Sequence, residues 1–132
     1  PSFLTYYACL QITDAIAGLP AVTDLSPPDS VYHSYYKYYV LLEPGGLSQN
    51  WTQDRIVADL NEAGIPARFG ACPDISKENA FAAAGINTTN SRPNAQAIAD
   101  YTVMLPVHPT LSEGNITFMQ DILQSVLKAA SR

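Results

Sequence analysis

The sequence predicts a small α/β (α+β) domain, a three-stranded sheet flanked by helices. Three observations carry this expectation. The run from Tyr35 to Leu42 has the aromatic and β-branched composition of a strand. Near the C-terminus, Ile116, Met119, Leu123, Val126, Leu127 and Ala130 repeat at helical spacing. Along the whole chain, patterns and breakers alternate in the order helix, strand, helix, strand, an irregular loop with short helices, strand, helix. The pattern leaves parallel and antiparallel pairing open.

Taken in order, Phe3 to Ala17 reads as a helix carrying Leu4, Tyr7, Ala8, Leu10, Ile12, Ala15 and Ile16, closed by Gly18 with Pro20 just beyond. Ser26-Pro27-Pro28-Asp29 forces an extended or turning connection. In the tyrosine-rich strand, alternation puts Tyr35, Lys37 and Tyr39 on one face and Tyr36, Tyr38 and Val40 on the other. Pro44-Gly45-Gly46 ends it. Thr52 is the expected N-cap of a helix with Ile56, Val57, Leu60 and Ala63 on one stripe, stopped by Gly64. Ile65 to Phe69 reads as a second short strand, and Cys72-Pro73-Asp74 as a turn. Ser76 to Ala84 can form a short helix, Pro93 opens another with Ala95, Ile98 and Ala99, and Thr102 to Leu105 is the third strand. Ser112 caps the final helix.

A chain of 132 residues, with 47% apolar and 14% charged residues, suits one folded domain rather than disorder. So low a charge fraction suits a surface partly covered by another body, although 8 Tyr and 10 Pro account for much of it. The net charge of −5 and seven scattered basic residues exclude duplex nucleic acid as a partner. No apolar run reaches the roughly 20 residues of a membrane helix, and no basic segment followed by an apolar one marks a secretory signal. A cytoplasmic location with Cys9 and Cys72 as reduced thiols is expected. The alternative, a secreted glycoprotein domain, draws on the sequons at Asn50, Asn87 and Asn115. A start at Pro1 suits a processed or excised chain.

Candidate chemistry is sparse. His33 and His108 are present, but no Gly-x-Ser-x-Gly elbow accompanies them, and His108 lies in a tight connection before Pro109. Two lone His and two lone Cys give no metal-ligand spacing, so no metal site is expected. Gly45-Gly46 lacks the continuation of a phosphate-binding loop. Tyrosines offer a ring face and a hydroxyl to a ligand, yet Tyr36 and Tyr38 are expected to pack against helices. For Tyr32 and His33, ligand binding and turn formation stand as equal readings. Arg68 can clamp a carboxylate or phosphate, or form a surface ion pair.

Four blocks, in order over residues 31–130, resemble a known family. Val31-Tyr32-His33-Ser34-Tyr35-Tyr36-Lys37-Tyr38-Tyr39-Val40 resembles the strand that opens the C-terminal domain of the DegT/DnrJ/StrS-type aminotransferases. Asp54-Arg55-Ile56 followed by Ala63-Gly64-Ile65-Pro66 is similar to the family's next helix and turn. Gly70-Ala71-Cys72-Pro73-Asp74-Ile75 with Glu78-Asn79-Ala80-Phe81 resembles one branch's loop, with Asp74 in place of a Glu and Asn79 in place of a Lys. Leu105-Pro106-Val107-His108-Pro109-Thr110-Leu111-Ser112 resembles the approach to the final helix, and the helix near Tyr7 to Leu19 the one preceding the domain.

The resemblance implies residues 1–30 as a helix and linker and 31–132 as the C-terminal small domain of a fold-type-I enzyme, its large domain absent. Such enzymes use pyridoxal phosphate to move an amino group from glutamate or glutamine onto a keto sugar nucleotide, and usually act as homodimers. Some members lack the catalytic lysine and act as dehydratases or regulators. The lysine belongs to the large domain, and Lys37, Lys77 and Lys128 do not match its motif. The resemblance therefore implies no catalytic residue here, no cofactor bound by this chain alone, and a wall of the substrate cleft at Tyr32, His33, Arg68 and Phe69. The competing reading is a stand-alone binding or scaffold module.

Overall fold

A computed structural model describes residues 3–86 and 92–132. The sequon at Asn87 lies outside the described residues. Among the described residues, five helices and four strands follow one another: α1 (Phe3–Ile16), β1 (Val22–Thr23), β2 (Tyr38–Leu42), α2 (Gln53–Glu62), β3 (Arg68–Phe69), α3 (Asn79–Ala83), α4 (Pro93–Tyr101), β4 (Thr102–Leu105) and α5 (Glu113–Ala130). Short 3-10 turns occupy Pro44–Gly46 and Ile75–Lys77. The expected α+β class is present, with a fourth strand added.

The sheet runs in the order β1-β2-β4-β3, and every pairing is antiparallel. The added strand, β1, pairs Val22 with Leu42 and Thr23 with Leu41. Two residues carry too little alternation to be seen in a sequence. Along β2 the side chains of Tyr38, Val40 and Leu42 are buried, Leu41 is half-buried and Tyr39 is exposed. Across the register, Val40, Val103 and Phe69 form one row, and Tyr39, Met104 and Arg68 the next, on the opposite face.

The expected alternation fails at the front of the strand. Tyr36 is 84% exposed, whereas Tyr35 is buried. Tyr35 holds φ at +42°, a left-handed backbone that breaks the two-residue period and turns its ring inward. Tyr38 packs as expected; Tyr36 does not.

The helices end where local chemistry dictates. Thr52 Oγ1 accepts from Arg55 N–H, and Ser112 forms a capping box with Asn115. Gly18 and Gly64 adopt φ of +74° and +94°, and Ile65 N–H donates to Leu60 O, closing α2. The expected helix over Ser76 to Ala84 divides at Glu78 into a 3-10 turn and α3.

One core joins the layers: Cys9, Ile12 and Ile16 of α1, Tyr38, Val40 and Leu42 of β2, Ile56 and Leu60 of α2, Val103 and Leu105 of β4, and Leu123 and Leu127 of α5. Both α1 and α2 pack against α5. Gln120 and Gln124 on α5 donate to the carbonyls of Gln11 and Ala15 at 2.8 and 2.6 Å, fixing α1 lengthwise. Gln53 Nε2 donates to Ala99 O and Thr102 O, both at 2.7 Å, and so anchors the C-terminal end of α4. No helix of the described residues is long and apolar enough to cross a membrane.

Candidate functional site

The turn after α1, strand β1 and the segment leading into β2 enclose a cavity of about 300 Å3. Its polar lining includes Thr13, Asp14, Asp24, His33, Lys37 and Tyr38. Ser26, just before Pro27 and Pro28, and His33, two residues before the left-handed Tyr35, both line it. His33 Nδ1 accepts the Tyr35 N–H at 3.1 Å, so in the neutral ring the proton sits on Nε2 and is available as a donor. Hydroxyls, an imidazole and two carboxylates suit a polar small molecule bearing hydroxyl groups.

An aromatic ladder flanks the cavity. Tyr32 stacks on Tyr6 at 4.6 Å between ring centroids, Tyr6 lies 5.9 Å from Tyr35, and Tyr35 lies 6.2 Å from Tyr38. His33 meets the Tyr35 ring edge-on at 4.4 Å. The Tyr38 hydroxyl lies 2.8 Å from Thr13 Oγ1. Burial pushes the Tyr38 phenol up to about 12, and that of Tyr35 upward too. Both stay neutral in the physiological range. Cys9, fully buried beneath them, is likewise pushed up to about 12 by burial, so it offers a thiol and no thiolate nucleophile. Asp24 stays ionised, held below the usual carboxylate value by hydrogen bonds from the Ser26 hydroxyl and N–H.

The four sequence candidates do not converge. Tyr32 and His33 stand together beside α1 and the cavity. Arg68 and Phe69 lie on β3, at the sheet edge away from β1, with β4 between them and β2. The single ion pair among the described residues joins Arg55 and Asp59, so the surface ion-pair reading of Arg68 fails there. His108 is a turn former: its Nδ1 lies 2.8 Å from Thr110 Oγ1 and accepts the Thr110 N–H. No cluster of three metal-ligating side chains occurs among the described residues.

Sequence reading missed Thr13, Asp14, Asp24 and Lys37 as cavity residues, because contacts between α1 and the β2 approach leave no periodic signal. It also missed the Arg55 guanidinium stacked on Trp51 at 4.0 Å, a pair whose i,i+4 spacing around the Thr52 cap was the available clue.

This α+β arrangement is shared with solved aminotransferases. The aminotransferase from Psychrobacter cryohalolentis matches with a TM-score of 0.84 and 26% identity over 96% of this chain and 34% of that one. An aminotransferase from Streptoalloteichus hindustanus matches with a TM-score of 0.76 and 20% identity, over 95% of this chain and 31% of its own. Helicobacter pylori PseC, an aminotransferase involved in the biosynthesis of pseudoaminic acid, gives 0.76 and 17% identity, over 95% and 32%. Curated proteins gave no match. Residues 7–124 match the DegT/DnrJ/EryC1/StrS aminotransferase family, and the chain belongs to that family. It spans about a third of the length of these solved relatives.

Pyridoxal phosphate needs an amine to form an imine with, a phosphate cradle and a partner for its ring nitrogen. The residues present do not fit it. Lys77 and Lys128 are exposed. Lys37 is the only Lys or Arg in the cavity lining, which it shares with Asp14 and Asp24, and its ammonium lies 5.5 Å from the centroid of the exposed Tyr36 ring. A phosphate dianion there would meet two carboxylates, with the one cation consumed by the imine.

Proposed function

We propose that this chain is the C-terminal small domain of a pyridoxal-phosphate-dependent aminotransferase that acts on a keto sugar nucleotide with glutamate or glutamine as donor. The family match over residues 7–124 carries the reading. The cavity lining supports a division of labour, since its residues suit a hydroxylated ligand and not the cofactor. Tyr32 presents a stacked ring and His33 a donor at Nε2, its Nδ1 being occupied by the Tyr35 N–H, and both are assigned here to the substrate cleft.

Arg68 and Phe69 form a second contact region. In a homodimer whose active sites lie between subunits, the two regions of one chain serve different clefts. The test uses the whole polypeptide, with steady-state kinetics on sugar-nucleotide substrates. Replacing Tyr32 or His33 by Ala raises KM while the pyridoxal absorbance band persists. An unchanged KM in both variants removes these residues from the cleft, and a polypeptide without transaminase activity supports the non-catalytic module instead.

A further inference from the structure

We infer that Tyr6, on α1, is a positioning residue for the proposed cleft wall; the inference rests on the functional reading above. Tyr32 and His33 are not held by secondary structure. Residues 24–37 belong to no helix or strand, and the pairing of β2 with β4 starts only at Tyr38. Tyr32 is also 63% exposed, so burial does not fix its rotamer. A ring free to turn would lose that freedom on meeting a ligand, at a cost to affinity.

Tyr6 supplies the missing constraint. Its ring stacks on Tyr32 with centroids 4.6 Å apart and planes 28° apart, and lies 5.9 Å from the Tyr35 ring. Tyr35 in turn holds His33 twice, by a ring edge at 4.4 Å and by its N–H on Nδ1 at 3.1 Å. Tyr6 itself is half-buried on a helix whose inner residues, Thr5, Ala8, Cys9 and Ile12, lie in the core. Gln120 and Gln124 of α5 fix that helix lengthwise. A rigid element therefore sets where Tyr32 stands, and the loop that carries Tyr32 does not. The two cleft groups differ in their support. Among the described residues, Tyr32 has a ring contact with Tyr6 alone, whereas Tyr35, the support of His33, also stacks on Tyr38 at 6.2 Å. Loss of the Tyr6 ring should release Tyr32 and leave His33 largely in place.

Steady-state kinetics on the whole polypeptide test this, with Tyr6→Leu and Tyr6→Phe, alone and combined with Tyr32→Ala or His33→Ala. Tyr6→Leu should raise KM for the sugar nucleotide about threefold to tenfold at unchanged kcat, the range that one stacked pair supports. Tyr6→Phe keeps the ring and should restore the parent KM. Added to Tyr32→Ala, Tyr6→Leu should raise KM no further; added to His33→Ala, it should raise KM as it does alone. Full additivity with Tyr32→Ala overturns the proposal. So does a parent-like KM in Tyr6→Leu while Tyr32→Ala raises it. A loss of kcat that tracks a lowered heat-unfolding midpoint would make Tyr6 a structural residue and overturns it too. An unchanged KM in Tyr32→Ala itself removes the functional reading, and the proposal with it, which sets that failure apart from the others.

Discussion

Gly46 packs so closely on Pro20 that a methyl group on its α-carbon would come within 1.6 Å of the Pro20 carbonyl oxygen and 2.2 Å of the carbonyl carbon. This contact closes a small knot. Arg132 N–H donates to Gly46 O, Ser131 Oγ accepts the Ala21 N–H at 3.2 Å, and Ser48 Oγ donates to Ser131 O at 2.7 Å. The end of α5 is thereby tied to both the α1–β1 turn and the end of β2.

Backbone cannot move aside as a side chain can, so Gly46→Ala is expected to destabilise the domain by about 3 kcal/mol. Gly45→Ala meets only Glu43 Oε1 at 3.5 Å and should stay within about 0.5 kcal/mol of the parent. Urea unfolding of the pair measures both. Equal midpoints would contradict the close approach.

Alkaline stability should be set by the buried phenol and thiol. Folding raises the Tyr38 value from 10.0 and the Cys9 value from 9.0, each to about 12. The folded state keeps protons that the unfolded chain releases, so this stability is whole below pH 9 and is lost as pH rises toward 12. For Tyr38 the loss is on the order of 2 kcal/mol. Tyr38→Phe should cost about 1 kcal/mol at neutral pH, by removing the bond to Thr13, and should flatten the alkaline limb above pH 10. An alkaline limb of unaltered slope would contradict the burial of that hydroxyl.

Asp74 contributes to the acid side, as Asp24 does. Its carboxylate, 2% exposed, accepts from Ser76 Oγ, from Ser76 N–H and, 18 residues on, from Arg92 N–H at 2.8 Å. The Ser76 hydroxyl leads in holding it below its usual 3.8. A lowered folded value means that the stability it brings is whole above about pH 4 and lost as pH falls through that value. Asp74→Asn should show a shallower acid limb and, at neutral pH, faster tryptic cleavage after Lys77. A steeper acid limb in the variant would contradict the sign.

Arg68 separates stability from binding. With no carboxylate partner among the described residues, Arg68→Ala should change unfolding free energy by less than about 0.5 kcal/mol. In the whole polypeptide it should raise KM for the sugar nucleotide at unchanged kcat. A large loss of stability would mean that β3 depends on its stem rather than presenting its charge.

Much of this architecture was legible because it rests on local chemistry. The α5 stripe, the caps at Thr52 and Ser112, the stops at Gly18 and Gly64, and Pro93 opening α4 each follow from residue type and spacing. What was hidden depends on tertiary contact. Strand β1 exists because Leu41 and Leu42 offer it a free edge, and two residues announce nothing on their own. Tyr35 and Tyr36 exchange their expected faces because one left-handed residue resets the strand's period. Of the residues that line the cavity, His33 alone was a binding candidate in the sequence, because the others are brought together only by the fold.

Borohydride trapping of pyridoxal phosphate, followed by peptide mapping, tests the central claim most directly. The whole polypeptide should yield one pyridoxyl-lysine outside residues 1–132, and the chain alone should yield none. A stoichiometric adduct on Lys37, Lys77 or Lys128, or no adduct anywhere in the whole polypeptide, would contradict the account.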